Sequence, residues 1–302
     1  MLSALWEAIR PFQWSKNLAL FAAVILSGQL FDEALFVKSL FGFVAFCLLS
    51  SSSYLVNDIV DVDNDRNHPV KKNRPIARGD LPISVASFVS LVLLVIGISV
   101  SALIGFNFFL LAIGFIIFQY GYSLVLKKKP VADIFGIAMF FIVRAFAGEV
   151  ATGYHLPIWI MLTVIFLALF IASGKRRSEL VVVGKGSRPA LKRYGKSLLN
   201  FYTTMFAVCT LLTYSMYTFF EEPVSFNGFL HSFLLENMPQ ALDRKWFMLT
   251  IFPVIYGIMR YGQIIFEMQE GERPERIIAT DIPLMVAVGA WGLMILSILY
   301  AL

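Results

Sequence analysis

The residues of this chain best placed to do chemistry lie in one polar segment: Asn57-Asp58-Ile-Val-Asp61-Val-Asp63-Asn-Asp65-Arg66-Asn-His68-Pro69-Val-Lys71-Lys72-Asn-Arg74-Pro75-Ile-Ala-Arg78-Gly79. Asp58, Asp61 and Asp65 stand at i, i+3 and i+7, so a helix carried through them would project all three carboxylates from one face. Such a stripe repels itself unless a cation sits among its members. With Asn57 as an added oxygen ligand it suits Mg2+, which is held by few carboxylates and completes its shell with water and substrate phosphate oxygens. The natural guest is then a diphosphate. Five bases follow within thirteen positions: Arg66, Lys71, Lys72, Arg74 and Arg78. A loop made polar only for solubility has little reason to place metal ligands first and anion-binding side chains directly after. Pro69, Pro75 and Gly79 break the helix and let the basic segment fold over a site.

Other charged residues carry two readings each. Lys127, Lys128 and Lys129 either anchor a membrane helix or hold phosphate, and Lys16 is an anchor or a substrate contact. Arg144 falls inside an apolar run, where charge is costly and marks either function or a structural pairing with Glu149 or a backbone carbonyl. His68, His155 and His231 lie far apart, which argues against a histidine metal site. Cys47 and Cys209 sit in apolar runs and offer no disulfide framework.

The elements that must position these groups are membrane helices. The chain has 302 residues, 58% of them apolar, with a mean hydropathy of +0.75 and only 15% charged. A soluble domain carries about 25% charged residues. Apolar runs long enough to span a bilayer, about 17–25 residues each, fall near 17–31, 36–56, 82–104, 106–126, 131–150, 157–174, 200–220, 246–266 and 282–302. The expectation is an all-α bundle of about nine transmembrane helices around a cytoplasm-facing cavity, forming a single membrane domain over 1–302. Its active-site loops are expected near 57–81, 127–130 and 174–197. No cleavable signal peptide is expected, because no small-residue cleavage site clearly ends the first run. Of the 25 Lys and Arg, only Lys38, Arg244 and Lys245 fall on one side of this layout, Arg144 falls within a span, and Arg260 lies in a span near its opposite end. The rest gather on the side of the N-terminus and the aspartates, which the positive-inside rule makes cytoplasmic. The net charge of +5 therefore reflects topology and does not point to nucleic acid.

The pattern N-D-x-x-D-x-x-x-D resembles the first aspartate motif of the UbiA-type intramembrane prenyltransferase superfamily. Its extension through Arg66, His68, Pro69, Lys71, Arg74, Pro75 and Gly79 is similar to the decaprenyl-phosphate phosphoribosyltransferase branch. So are Arg10-Pro11-Phe-Gln13-Trp14-Ser-Lys16-Asn17, Tyr122-Ser123-Leu-Val-Leu-Lys127 leading to Pro130 and Asp133, and Arg144-Ala-Phe-Ala-Gly148. Superfamily members typically carry a second aspartate-rich motif after the sixth span; here that loop opens Ser173-Gly174-Lys175-Arg176-Arg177-Ser178-Glu179, with three bases and one acid. One metal-binding cluster and one cationic cluster suit two phosphorylated substrates, one held through Mg2+ and one by Lys and Arg. The resemblance implies Mg2+-dependent transfer of 5-phosphoribosyl from phosphoribosyl pyrophosphate to a polyprenyl (decaprenyl) phosphate, with release of diphosphate, for cell-wall arabinan precursors. It implies an enzyme of the bacterial inner membrane, with oligomeric state open. It places metal-binding roles on Asn57, Asp58, Asp61 and Asp65, with the three aspartates catalytic. Substrate-binding roles fall on Lys16, Asn57, Arg66, His68, Lys71, Arg74, Tyr122, Lys127, Arg144, Lys175, Arg176 and Glu179. The rivals are a prenyltransferase joining a prenyl diphosphate to an aromatic acceptor, which a second carboxylate cluster would favour, and a transporter or lipid scaffold. A transporter would spread polar residues through many spans or show inverted repeats of broken helices; here the ionisable residues gather at one face.

Overall fold

The structure, a computed structural model, describes residues 1–67, 71–182, 193–221, 232, 235–268, 271 and 274–301. Every regular element among the described residues is helical. In order these are α1 (Leu2–Ile9), α2 (Ala22–Leu26), α3 (Glu33–Val60), α4 (Val62–Arg66), α5 (Ile83–Ile104), α6 (Phe106–Leu124) and α7 (Ala132–Thr152). They continue with α8 (Ile158–Val182), α9 (Lys196–Phe220), α10 (Ile251–Gln263), α11 (Pro274–Thr280) and α12 (Ile282–Leu296). Seven helices are long and apolar enough to cross a membrane: α3, α5, α6 with its closing turn to Lys128, α7, α8, Trp246–Met268 built on α10, and Ile282–Tyr300 built on α12. The chain is an integral membrane protein of all-α class.

Nine apolar runs thus resolve as these seven helices and two elements of other character. The first run is wound as a 3-10 helix over Pro11–Phe21 before α2 continues it. It starts where Arg10 takes a left-handed conformation (φ 55, ψ 62), ends α1, and passes to Pro11, whose fixed φ suits a helix start. A 3-10 helix rises about 2.0 Å per residue, so its 11 residues reach about 22 Å, farther than the same number in an α-helix. The other element is α9, 25 residues long. It buries Thr203, Thr210, Tyr214, Tyr217 and Thr218 on one stripe. Its threonine hydroxyls donate back to carbonyls one turn earlier, Thr203 to Leu199 and Thr210 to Phe206, both at 2.7 Å. That bonding satisfies hydroxyls within the helix itself, at the cost of hydropathy.

The helices cluster into two units. The first comprises 1–24, 29–127 and 143–154. In it α3 packs along α5, where Gly97 lets Leu49 approach closely and Ser52 Oγ donates to Ser90 O at 2.9 Å. A small apolar cluster of Ala4, Ala8, Leu55, Val62, Ile76, Leu81 and Ala86 seats α1 and the loop after α4 against the end of α3. The second unit comprises 25–28, 128–142 and 155–302. Its core runs from Ile134 and Ala138 through Leu169, Phe170 and Ala172 to Leu199, Phe206, Ile264 and Ile265.

Candidate active site

The end of α3 carries the aspartates. The α-helix is interrupted only at Asp61 (φ −91, ψ 4), and i→i−4 bonding passes through it: the Asp61 amide donates to Asn57 O at 3.0 Å and the Asp65 amide to Asp61 O at 2.8 Å. The stripe therefore survives the break. Asp58 and Asp65 are buried at 2% exposure, Asp61 is half-buried, and the intervening Asp63 faces out at 90%. A buried carboxylate must be paired, and four bases of the first unit do the pairing. Arg10 Nη2 donates to both oxygens of Asp58 at 2.6 and 2.8 Å, with its guanidinium 5.0 Å over the Tyr54 ring. Arg74 Nη1 reaches Asp58 Oδ1 at 2.9 Å and Asp65 Oδ2 at 2.6 Å. Lys71 stands 4.0 Å from Asp65, and Lys127, in the turn that closes α6, stands 3.5 Å from Asp61.

Donor chemistry fits a hard divalent cation: three carboxylates on one stripe supply oxygen ligands. Among the described residues, though, no group of three such side chains stands ready around a common point. The place between Asp58 and Asp65 is held by a cation of the chain itself, Arg74 Nη1. Asn57 is half-buried at the same helix end, with its carbonyl engaged by Asp61.

The basic loop is braced from outside. Arg78 donates to Asp80 at 2.5 Å, to Asn73 O at 2.9 Å and to Glu7 of α1 at 2.8 Å. The Asp80 hydrogen bond, then that of Glu7, pushes its pKa above the ordinary guanidinium value. Gly79 closes the loop at φ 88, a left-handed conformation that suits glycine. Arg66 turns from the stripe toward Ala77 O (3.4 Å) and Asp63 (3.5 Å). His68 lies outside the described residues. Tyr122 is half-buried near the end of α6, ahead of Lys127.

Arg144 is gathered into a different group. Its Nε donates to Asn17 Oδ1 at 2.6 Å, its Nη2 reaches Ser50 Oγ at 3.3 Å, and its guanidinium lies 5.2 Å from the centre of the Phe115 ring. Asn17 in turn donates to Cys47 Sγ at 3.2 Å. The group ties the 3-10 segment, α3, α6 and α7 together inside the first unit. Gly148, one turn further along α7, lies so close to the Leu20 carbonyl that a Cβ there would clash with backbone. Lys16 lies half-buried in the 3-10 segment.

In the second unit the triplet at the end of α8 divides its work. Arg176, 1% exposed, is clasped between the fully buried Asp133 (Nη2 to Oδ1, 3.0 Å) and Glu179. Arg177 donates from Nε to Asn200 at 2.7 Å and from Nη1 to Ile265 O at 2.6 Å, and stacks 4.2 Å from the Phe266 ring. Ile265 lies in a π-helical turn, Ile264–Met268. Lys175 is half-buried. Tyr194 is buried and accepts from the Val131 amide; burial raises its pKa above the usual phenol value. Lys185, Arg188 and Lys192, which follow α8 in sequence, lie outside the described residues.

Arg10 is the site residue that spacing alone does not reveal. It lies 48 positions before Asp58. Its one local signal is the Arg-Pro step that ends α1.

The profile of the UbiA prenyltransferase family matches residues 18–222. A decaprenyl-phosphate phosphoribosyltransferase of Mycolicibacterium smegmatis is 35% identical over 96% of this chain and 91% of its own length. One of Corynebacterium glutamicum is 33% identical over 97% and 86%. Among solved structures, a UbiA homologue from Archaeoglobus fulgidus bound to GPP and Mg2+ superposes with a TM-score of 0.70 at 20% identity, covering 99% of this chain and 98% of that one.

Proposed function

This chain belongs to the UbiA prenyltransferase family, and we propose that within it the protein transfers 5-phosphoribosyl from phosphoribosyl pyrophosphate to a polyprenyl phosphate. The observation that carries the site assignment is the stripe of Asp58, Asp61 and Asp65 faced by Arg10, Lys71, Arg74 and Lys127. Names of relatives at 33–35% identity over nearly the whole chain support phosphoribosyl as the group transferred and a polyprenyl phosphate as its acceptor. The Mg2+-bound homologue of the same fold supports the metal.

In this reading Asn57, Asp58, Asp61 and Asp65 hold Mg2+, which supplies positive charge to a leaving diphosphate. The bond from the ribosyl anomeric carbon to a diphosphate oxygen breaks, and the diphosphate departs with the electron pair. A bond from the same carbon to an oxygen of the lipid phosphate forms. The acceptor is already anionic, so no side chain need remove a proton, in keeping with the scattered histidines. Arg74, Lys71 and Lys127 bind phosphate oxygens, Arg74 with the two-pronged geometry that suits them. Burial between two acids gives Arg176 the task of fixing the end of α8. Asymmetry of Lys and Arg supports a cytoplasmic N-terminus and cytoplasmic aspartates. The test is the purified protein with Mg2+, phosphoribosyl pyrophosphate and decaprenyl phosphate, with the phosphoribosylated lipid read by mass spectrometry. Product from a prenyl diphosphate and an aromatic acid instead would select the prenyltransferase alternative.

A further inference from the structure

We infer that Arg74, assisted by Arg10, is a resident counter-cation of the aspartate stripe that a divalent cation must displace, and that the displaced guanidinium is what then receives the diphosphate. The inference rests on the metal assignment proposed for Asp58, Asp61 and Asp65. Two observations carry it. The first is the shared contact: one atom, Arg74 Nη1, bonds an oxygen of Asp58 at 2.9 Å and an oxygen of Asp65 at 2.6 Å. A cation that binds oxygens at about 2.0–2.1 Å and bridges the same two carboxylates needs the space that nitrogen fills. Both cannot be there together. The second is accessibility. Asp58 and Asp65 are buried at 2%, whereas the Arg74 and Arg10 side chains are 27% and 29% exposed. The acids are buried, and the guanidiniums are the partners in contact with solvent.

The arrangement has a thermodynamic consequence. Without metal, the arginines spare the protein two uncompensated buried carboxylates, a costly state. Metal arriving alone must break these charge-assisted bonds and leave two guanidiniums without anionic partners. Metal arriving with a diphosphate gives them new ones of matching geometry. Metal and diphosphate should therefore bind with positive coupling, each raising the affinity of the other by the same factor. Lys71 and Lys127, at 4.0 and 3.5 Å, are held more loosely and need not move far.

Full-length protein in lipid nanodiscs can be titrated with Mn2+, free metal being read by electron paramagnetic resonance, with and without inorganic diphosphate. Arg74→Met is expected to tighten Mn2+ alone by about ten-fold, the worth of one charged hydrogen-bond pair, and to shrink the coupling to diphosphate. Arg74→Lys should fall between wild type and Arg74→Met. Arg10 still holds Asp58 and Lys71 still stands by Asp65 in these variants, so folding survives; their metal-free melting temperature should drop and Mn2+ should raise it more than in wild type. If wild type binds Mn2+ in an Asp58-dependent way but Arg74→Met leaves its affinity unchanged or weaker, the counter-cation role is wrong and the metal site stands. If Mn2+ binding is absent, or indifferent to Asp58→Asn, the metal site and the counter-cation role fall together.

Discussion

Asp133→Asn separates a structural Arg176 from a substrate-binding one. Arg176 is 1% exposed and Asp133 is fully buried, so the substitution keeps the shape of the partner while leaving a buried guanidinium with one acid, Glu179, itself only 13% exposed. Breaking a buried pair on one side costs about 3–5 kcal/mol. Glu179 remains, so the lower end, about 3 kcal/mol, applies here. Arg176→Gln removes the charge from the other side and leaves Asp133 uncompensated at comparable cost. The two residues touch, so the double variant should lose well under the sum of the singles. Reversible thermal or denaturant unfolding in detergent would measure the three values. Strictly additive losses, or a stable Asp133→Asn protein whose only defect is a raised KM for phosphoribosyl pyrophosphate, would refute the structural role.

Packing and pH supply two further tests. Gly148→Ala should abolish a monodisperse peak in size-exclusion chromatography, because its methyl meets the Leu20 carbonyl, whereas Gly121→Ala, with nothing nearby, should behave as wild type. Asp281 caps α12 by accepting from the Leu284 amide at 2.9 Å, and its pKa is lowered chiefly by the Arg260 hydrogen bond. A depressed carboxylate pKa adds stability that is present above the unfolded value, about 3.9, and is lost as pH falls through the folded one. Melting temperature should thus decline more steeply on acidification in wild type than in Asp281→Asn; equal slopes would contradict the pairing.

Much of the fold could be read from the sequence because membrane helices write themselves locally: length and hydropathy located α3, α5, α6, α7 and α8 directly. Hydropathy is blind to winding, however, and could not tell that the run from Pro11 is a 3-10 helix. Nor could it tell that the threonines of α9 face inward and satisfy themselves. At the site, the i, i+3, i+7 spacing anticipated that Asp58, Asp61 and Asp65 share a face, since helical geometry alone dictates this. Partners brought by tertiary contact had no such signature. Arg10 reaches Asp58 across 48 residues, and Asp133 reaches Arg176 across 43. A sequence shows three bases at 175–177 but not that two of them are buried and fully engaged.

We propose that the buried aspartate stripe is the metal-dependent centre of phosphoribosyl transfer. The most direct test is single-turnover formation of phosphoribosylated decaprenyl phosphate by wild type and Asp58→Asn across a Mg2+ titration, with folding checked by melting curves. Product is expected to depend on Mg2+ in wild type and to fall at least a hundred-fold, on the order of 3 kcal/mol in the barrier, in a folded Asp58→Asn protein. Wild-type turnover by that variant, or product formation indifferent to chelation of Mg2+, would contradict it.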